Sequence, residues 1–253
     1  MRADKYFSGR FGSRTKAAEA LKRGLILRNG RALSPDDEVK EGDDFEFPLP
    51  EEQYVSNGGY KLARGLDVFR EDVSGKAYCD LGASTGGFTD CLLQRGAKAV
   101  VSVDVGESQL APSLAADPRV AVMDNTNARY LKKQDLPFPV DGVVSDLSFI
   151  SLELVLPVVK DVLPDHGKAF VLFKPQFECG GKGLQKRGIL PVSRHAALLD
   201  AFYDTAKSLS LMPRAVVNAP VRPQKNVEYV VFLEKGGECI PKYQFLAQAA
   251  RLV

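Results

Sequence analysis

At 253 residues the chain is long enough for one sizeable core and a small appendage. Its apolar share of 45% and charged share of 26% are those of a globular protein, and no apolar run reaches the roughly 18 residues of a membrane span. The net charge of +2 is small, the basic N-terminus lacks the apolar core of a secretory signal, and Cys79, Cys91, Cys179, Cys239, His166 and His195 show no metal-ligand spacing. Reduced thiols in a cytoplasmic protein are the economical reading.

Charge is unevenly spread along the chain. Arg2, Lys5, Arg10, Arg14, Lys16, Lys22, Arg23, Arg28 and Arg31 face only Asp4 and Glu19 before residue 35, and residues 36–52 then carry nine acids against Lys40 alone. A small module with one face for polyanions is the inference, a merely solvated helix face the plainer alternative. Ser13 is a plausible N-cap for a helix through Ala17, Ala18, Ala20 and Leu21, ending near Gly24. Leu25–Arg28 meets Asn29-Gly30, a strong two-residue hairpin signal, and Gly42-Asp43 starts a further strand over Phe45–Phe47. Pro48 and Pro50 close the module at about residue 50, and residues 51–57 read as linker. Ser13-Arg14, Ala17, Gly24, Asn29-Gly30 and Gly42-Asp43 resemble the RNA-binding module named after ribosomal protein S-four. That resemblance implies docking on structured RNA, with the nine cations above as candidate RNA contacts.

Residues 58–253 read as a second domain. Leu62, Leu66 and Phe69 share one face of a helical run, with Lys61 at its start. Ala77–Asp80 is a strand, a glycine-rich turn follows, and Phe88–Gln94 opens a helix whose first N–H groups point into the turn. Asp80, Gly82, Ala83, Ser84, Thr85, Gly86, Gly87 and Phe88 are therefore candidate cofactor contacts. Ser84 stands where a dinucleotide fingerprint needs its middle glycine, so an adenosyl ligand without phosphate, S-adenosylmethionine, fits better. A tight turn with no ligand is the alternative. Lys98–Asp104 is a strand ending in an acid; Asp104, with Val105, is placed to accept from ribose hydroxyls or else to cap the next helix. Arg119–Asp124 is a third strand, and Asp124 and Asn125 suit the adenine edge.

A fourth strand, Val140–Asp146, delivers Asp146 to the same rim. Leu147-Ser148 stands where enzymes that methylate base amines place two prolines, which disfavours transfer to an exocyclic amine. Ile150–Val162 is expected to be a helix kinked or divided by Pro157. Lys168–Phe173 delivers Lys174, and a loop through Gly180, Gly181, Gly183 and Gly188 has the composition of a closing flap. A helix from Ser193 to about Ser208 and strands near Val216 and over Val227–Leu233 follow, with Glu228 at the start of the last. The pattern is α/β: a doubly wound, Rossmann-like sheet with an antiparallel edge strand, preceded by a small N-terminal α+β domain.

Lys61, Asp146, Lys174 and Glu228 come from four separate segments that share one rim of such a sheet. They suit in-line attack of a hydroxyl oxygen on a sulfur-bound methyl carbon. A free lysine, with a reference pKa of about 10.4, is a poor base at neutral pH, but neighbouring ammonium groups repel and one can become neutral. This order of residues resembles the FtsJ-like RNA ribose 2'-O-methyltransferases. Tyr54-Val55-Ser56, Tyr60-Lys61-Leu62, Leu81–Thr89, Asp104-Val105-Gly106, Asn125–Arg129, Asp146–Leu152, Lys174–Glu178 and Asn226–Tyr229 resemble, more closely, the TlyA family, whose members carry both hemolysin and rRNA-methyltransferase names. The resemblance implies a class I methyltransferase fold, S-adenosylmethionine as donor, and cytidine 2'-hydroxyls of ribosomal RNA as targets. It makes Lys61 and Lys174 the acid–base lysines, Asp146 the central carboxylate and Glu228 the fourth member; no metal is implied. Glu52, Tyr54 and Asn57 depart from the arginine and tryptophan common in that family's linker. A membrane-active cytolysin, a dinucleotide oxidoreductase and an RNA-binding protein with an inert enzyme domain are the competing functions.

Overall fold

A computed structural model describes residues 1–22, 25–28, 31–40, 42–45, 53–220 and 225–251. They divide into two compact units, Met1–Gln53 and Tyr54–Val253.

In the first unit α1 (Ala3–Tyr6) and α2 (Arg14–Lys22) precede a ribbon of β1 (Leu27–Arg28) and β2 (Arg31–Ala32). Ser13 Oγ accepts from the Lys16 N–H at 3.2 Å, so it caps α2 as its position suggests. Arg28 pairs with Arg31 across the ribbon, which is what a two-residue hairpin requires. Arg23, Gly24, Asn29, Gly30, Phe47, Pro48, Pro50 and Glu52 lie outside the described residues. Of the strand expected over Phe45–Phe47 only Phe45 is among the described residues, and it is in no strand. Asp43 is engaged instead by the Lys40 N–H and by Arg28, and the Phe45 ring packs edge-on against Phe7 at 4.9 Å. Phe7, Ala17, Leu21, Ile26, Leu33 and Val39 form the small core beneath.

The second unit runs α3 (Asn57–Phe69), β3 (Ala77–Leu81), α4 (Gly87–Gln94), β4 (Ala99–Val103), α5 (Pro112–Ala115), β5 (Val120–Met123), β6 (Gly142–Ser145), α6 (Leu156–Val162), β7 (Lys168–Phe173), α7 (Pro175–Glu178), α8 (His195–Ser208), β8 (Leu211–Asn218), β9 (Tyr229–Lys235) and α9 (Lys242–Ala249). The sheet order is β5-β4-β3-β6-β7-β9-β8. β5 to β7 are parallel, and β9 is inserted antiparallel between β7 and β8. All five residues of β3 are buried, because helices cover both sides of the sheet. Ala77, Cys79 and Leu81 join the layer containing α6, α8 and α9, while Tyr78 joins that of α3 and α4.

Three local features refine or depart from expectation. Leu152–Leu154 forms a 3-10 turn and α6 begins after it, with Pro157 in the first turn, where a missing N–H breaks no hydrogen bond. Of the two alternatives, the helix is therefore divided just ahead of Pro157 rather than kinked at it. The glycine-containing loop after α7 is fastened rather than free: the Leu190 N–H donates to Asn226 Oδ1 at 2.8 Å, and Asn226 Nδ2 donates to the Gly188 carbonyl at 3.0 Å. Finally, α9 had no counterpart in the sequence reading; Phe245 and Ala249 bury it in the layer shared with α6 and α8.

Asp80, at the centre of the sheet, is 0% exposed. Its Oδ2 accepts from Thr89 Oγ1 at 2.7 Å, and Thr89 Oγ1 in turn lies 2.8 Å from Ser102 Oγ, tying β3, α4 and β4 together beneath the glycine turn. Burial, reinforced by the charges of Asp146 and Asp104, pushes the Asp80 carboxyl up to about 7 against the pull of Thr89. An unfolded aspartate titrates near about 3.9, so ionising Asp80 opposes folding: its contribution is most favourable below that value and is lost as pH rises through the folded one. Asp80→Asn keeps an acceptor for Thr89 and removes the charge. Thermal melts should show a higher melting temperature for Asp80→Asn at pH 8 and a much smaller change at pH 5; an equal gain at both values contradicts this account.

Candidate active site

Lys61 reaches the glycine turn because two helices start in backbone contact. A Cβ on Gly87 would lie 2.2 Å from Ser56 Oγ and 2.9 Å from the Gly59 nitrogen, so only glycine lets α3 begin this close to α4. Tyr54, 2% exposed, packs under Gly59, and the Val55 N–H donates to Asp90 Oδ2 at 2.7 Å. Tyr54–Asn57, expected as linker, is thus part of the second unit. Asp146 and Lys174 follow the adjacent parallel strands β6 and β7. Phe173 pairs with Tyr229, so Lys174 leaves the sheet beside Glu228, which precedes the antiparallel β9.

These four side chains meet. Lys174 Nζ lies 2.6 Å from Asp146 Oδ1, and Lys61 Nζ lies 3.7 Å from Asp146 Oδ2 and 2.7 Å from Glu228 Oε2. The Lys174 side chain is 7% exposed and the other three 17–22%, so this is a sheltered chain of alternating charge rather than a surface ion pair. Two polar neighbours escaped the sequence reading. Lys174 Nζ donates to Ser148 Oγ at 2.8 Å, and Gln176 Nε2 donates to Glu228 Oε1 at 3.1 Å. Ser148 had been noticed only as a missing proline. Phe149, beside it, has φ of 65° and is 90% exposed, with its ring 5.1 Å from that of Phe177. A large apolar side chain held in the left-handed region and in solvent is a signal that only coordinates supply.

A polar cavity of about 250 Å³ adjoins the cluster, lined by Lys61, Asp146, Ser148 and Lys174 on one side and by Gly82, Ala83, Ser84, Thr85, Gly87 and Phe88 on the other. Gly86, with φ of 94°, faces away from it, against Leu110 and Leu114. Asp80 was expected to touch the cofactor; fully buried below the turn, it supports the turn instead. Asp104 Oδ2 accepts from the Ser84 N–H and Oδ1 from the Gly106 N–H, both at 2.8 Å. It caps no helix; it fixes Ser84 in its left-handed conformation, φ 47°, and each oxygen keeps a lone pair for a further donor. Asp124 Oδ2 accepts from the Ser108 N–H at 2.9 Å, and the Asn125 N–H reaches the Gly106 carbonyl at 3.1 Å. Asp104, Val105, Asp124 and Asn125 thus form a ledge outside the cavity, joined to it through Ser84. An uncharged glycine cradle, a carboxylate ledge and no cation on the turn fit S-adenosylmethionine, whose adenosyl part bears no phosphate. A shallower groove of about 750 Å³, lined among others by Arg129, Tyr130, Lys132 and Lys133, shares no residue with the four-membered cluster.

Of the first unit's candidate RNA contacts, Arg2 and Arg14 both pair with buried Asp4, at 3.0 and 3.1 Å, and Arg2 also pairs with Asp36. Arg28 pairs with Asp43 at 2.9 Å. Lys5, Arg10, Lys16, Lys22 and Arg31 are exposed. Among the described residues no group of His, Cys, Asp and Glu is arranged to hold a metal ion.

The FtsJ-like methyltransferase family matches residues 54–235. The 16S/23S rRNA (cytidine-2'-O)-methyltransferase TlyA of Mycobacterium tuberculosis is 39% identical over 234 residues, 87% of this chain and 84% of that protein. Hemolysin A of Brachyspira hyodysenteriae is 38% identical over 194 residues, 75% of this chain and 80% of its own length. A solved structure from Streptococcus thermophilus, also carrying a hemolysin name, aligns with a TM-score of 0.76 at 33% identity, covering 99% of this chain and 96% of that one. Sheet order, glycine turn and kinship agree: this chain is a methyltransferase of the FtsJ-like family and belongs to its TlyA branch.

Proposed function

We propose that the protein transfers a methyl group from S-adenosylmethionine to the 2'-hydroxyl of a cytidine in ribosomal RNA. The observation that carries the reading is the meeting of Lys61, Asp146, Lys174 and Glu228, from four distant segments, at the mouth of the glycine-turn cavity. At about 250 Å³ that cavity falls short of the roughly 300 Å³ at which ligand sites begin, so it takes the reacting end of the donor. The ledge of Asp104, Val105, Asp124 and Asn125 receives the ribose and adenine. Bound there, the donor supplies a methyl carbon on a positively charged sulfur that leaves as a neutral thioether.

The remaining work falls to the chain. Lys61, Asp146 and Lys174 line the cavity, whereas Glu228 stands behind Lys61 and acts through it. One lysine, as the neutral amine, takes at Nζ the proton leaving the 2'-oxygen; the other, as ammonium, holds that oxygen in line and favours its developing negative charge. Asp146 touches both amines, so either route keeps the arriving positive charge beside a carboxylate. Phe149 and Phe177 offer an aromatic face at the rim, suited to stacking the base whose ribose is attacked. Residues 1–50 act as the RNA-docking domain through Lys5, Arg10, Lys16, Lys22 and Arg31, and the catalytic domain begins at Tyr54. A ribosomal substrate places the enzyme in the cytoplasm. Among the described residues no helix is long and apolar enough to cross a membrane.

Labelled S-adenosylmethionine with ribosomal RNA or subunits, followed by mapping of ribose methylation, tests the reading directly. Lys61→Ala, Asp146→Ala and Lys174→Ala should each lower kcat by about 10²- to 10⁴-fold while the fold is retained. Full activity in all three would refute the assigned roles. Phe149→Ala should raise KM for RNA about tenfold, the loss of one stacked base, and leave binding of the donor unchanged; an unaltered KM removes the stacking role.

A further inference from the structure

The segment after Lys174 does more than the chemistry above uses. α7 is a single turn, yet each of its last three side chains reaches a different part of the site. Gln176 donates through Nε2 to Glu228 Oε1 at 3.1 Å. A carboxylate can only accept here, which fixes the amide orientation and leaves Oε2 for Lys61. The Phe177 ring lies 5.1 Å from Phe149 and 5.9 Å from the Lys174 ammonium. Glu178, half buried, accepts from Ser151 Oγ at 2.5 Å and from the Leu152 N–H at 2.9 Å.

The Asp146–Leu152 segment is consequently fastened to the Lys174–Glu178 segment at both ends. Asp146 and Ser148 meet Lys174 at the near end, and Ser151 and Leu152 meet Glu178 at the far end. Phe149 projects from the span between these two fixings. Neither Gln176 nor Glu178 lines the cavity.

We propose that Gln176 and Glu178 are positioning residues for methyl transfer: Gln176 sets the orientation of Glu228, and Glu178 holds the Asp146–Phe149 span in register with Lys174. This rests on the methyl-transfer reading above. A displacement of about 1 Å in reacting groups costs on the order of 100-fold in rate, so losing either fixing is expected to be felt in turnover.

The test compares wild type, Gln176→Leu, Glu178→Ala and Glu178→Gln in methyl transfer from labelled S-adenosylmethionine to ribosomal RNA, with donor titration and thermal melting of each. Gln176→Leu and Glu178→Ala should lose about tenfold to 100-fold in kcat with donor affinity unchanged. Glu178→Gln should recover most of the rate, because its amide oxygen accepts from Leu152 and its NH₂ meets Ser151 Oγ. Wild-type kcat in either disruptive variant, Glu178→Gln as slow as Glu178→Ala, or a loss that follows donor affinity would overturn the inference. Should Glu178→Ala not fold, Gln176→Leu decides alone. A wild-type protein that binds the donor yet methylates no ribosomal RNA ends the functional reading instead, which an active wild type with indifferent variants does not.

Discussion

Asp146 stands between two amines, and the geometry of the site depends on that placement. Lys61 and Lys174 arrive from a helix before the sheet and from the end of its fifth strand; unshielded, two ammonium groups in so small a space would repel. One carboxylate presents a different oxygen to each, at 3.7 and 2.6 Å, and lets both remain. The same contact joins three elements, since α3, β6 and β7 have their tips drawn together by it. Glu228 extends the alternation by one more acid. What results is a row in which amines and carboxylates alternate, sheltered by the sheet rim but open to a cavity.

Much of this arrangement is readable in the residues. Acids and a lysine directly after β-branched runs belong at strand ends, and parallel strands put their carboxyl ends on one rim, so Asp104, Asp124, Asp146 and Lys174 follow from pattern alone. Glu228 follows once its strand is recognised as running the other way. Less accessible were features in which distant groups compete for one oxygen. Asp80 has the look of a ligand contact because it sits at a strand end beside glycines, yet the side-chain alternation of β3 turns it inward to Thr89. Asp104 does reach the turn, but it is the backbone of Ser84 that it grips. Helix α9 packs through only two fully buried residues, too sparse a stripe to stand out in the sequence.

The N-terminal unit shows a different limit of composition. A basic stretch followed by an acidic one suggests a positive face set apart from a negative one. In the folded unit the two interleave: Asp4, Asp36 and Asp43 neutralise Arg2, Arg14 and Arg28, and the acids thereby decide which cations remain outward-facing. Part of the positive charge of the first 35 residues is thus spent on internal pairs. A linear charge count overstates what remains.

The insertion of β9 between β7 and β8 has a consequence for how the molecule is made. The chain must lay down the outermost strand first and keep a gap beside β7 until the last strand is synthesised. Glu228 enters with that strand, so the four-membered cluster is incomplete on every nascent chain that stops short of β9. A chain that stops short of β9 leaves the edge of β7 open and lacks Glu228.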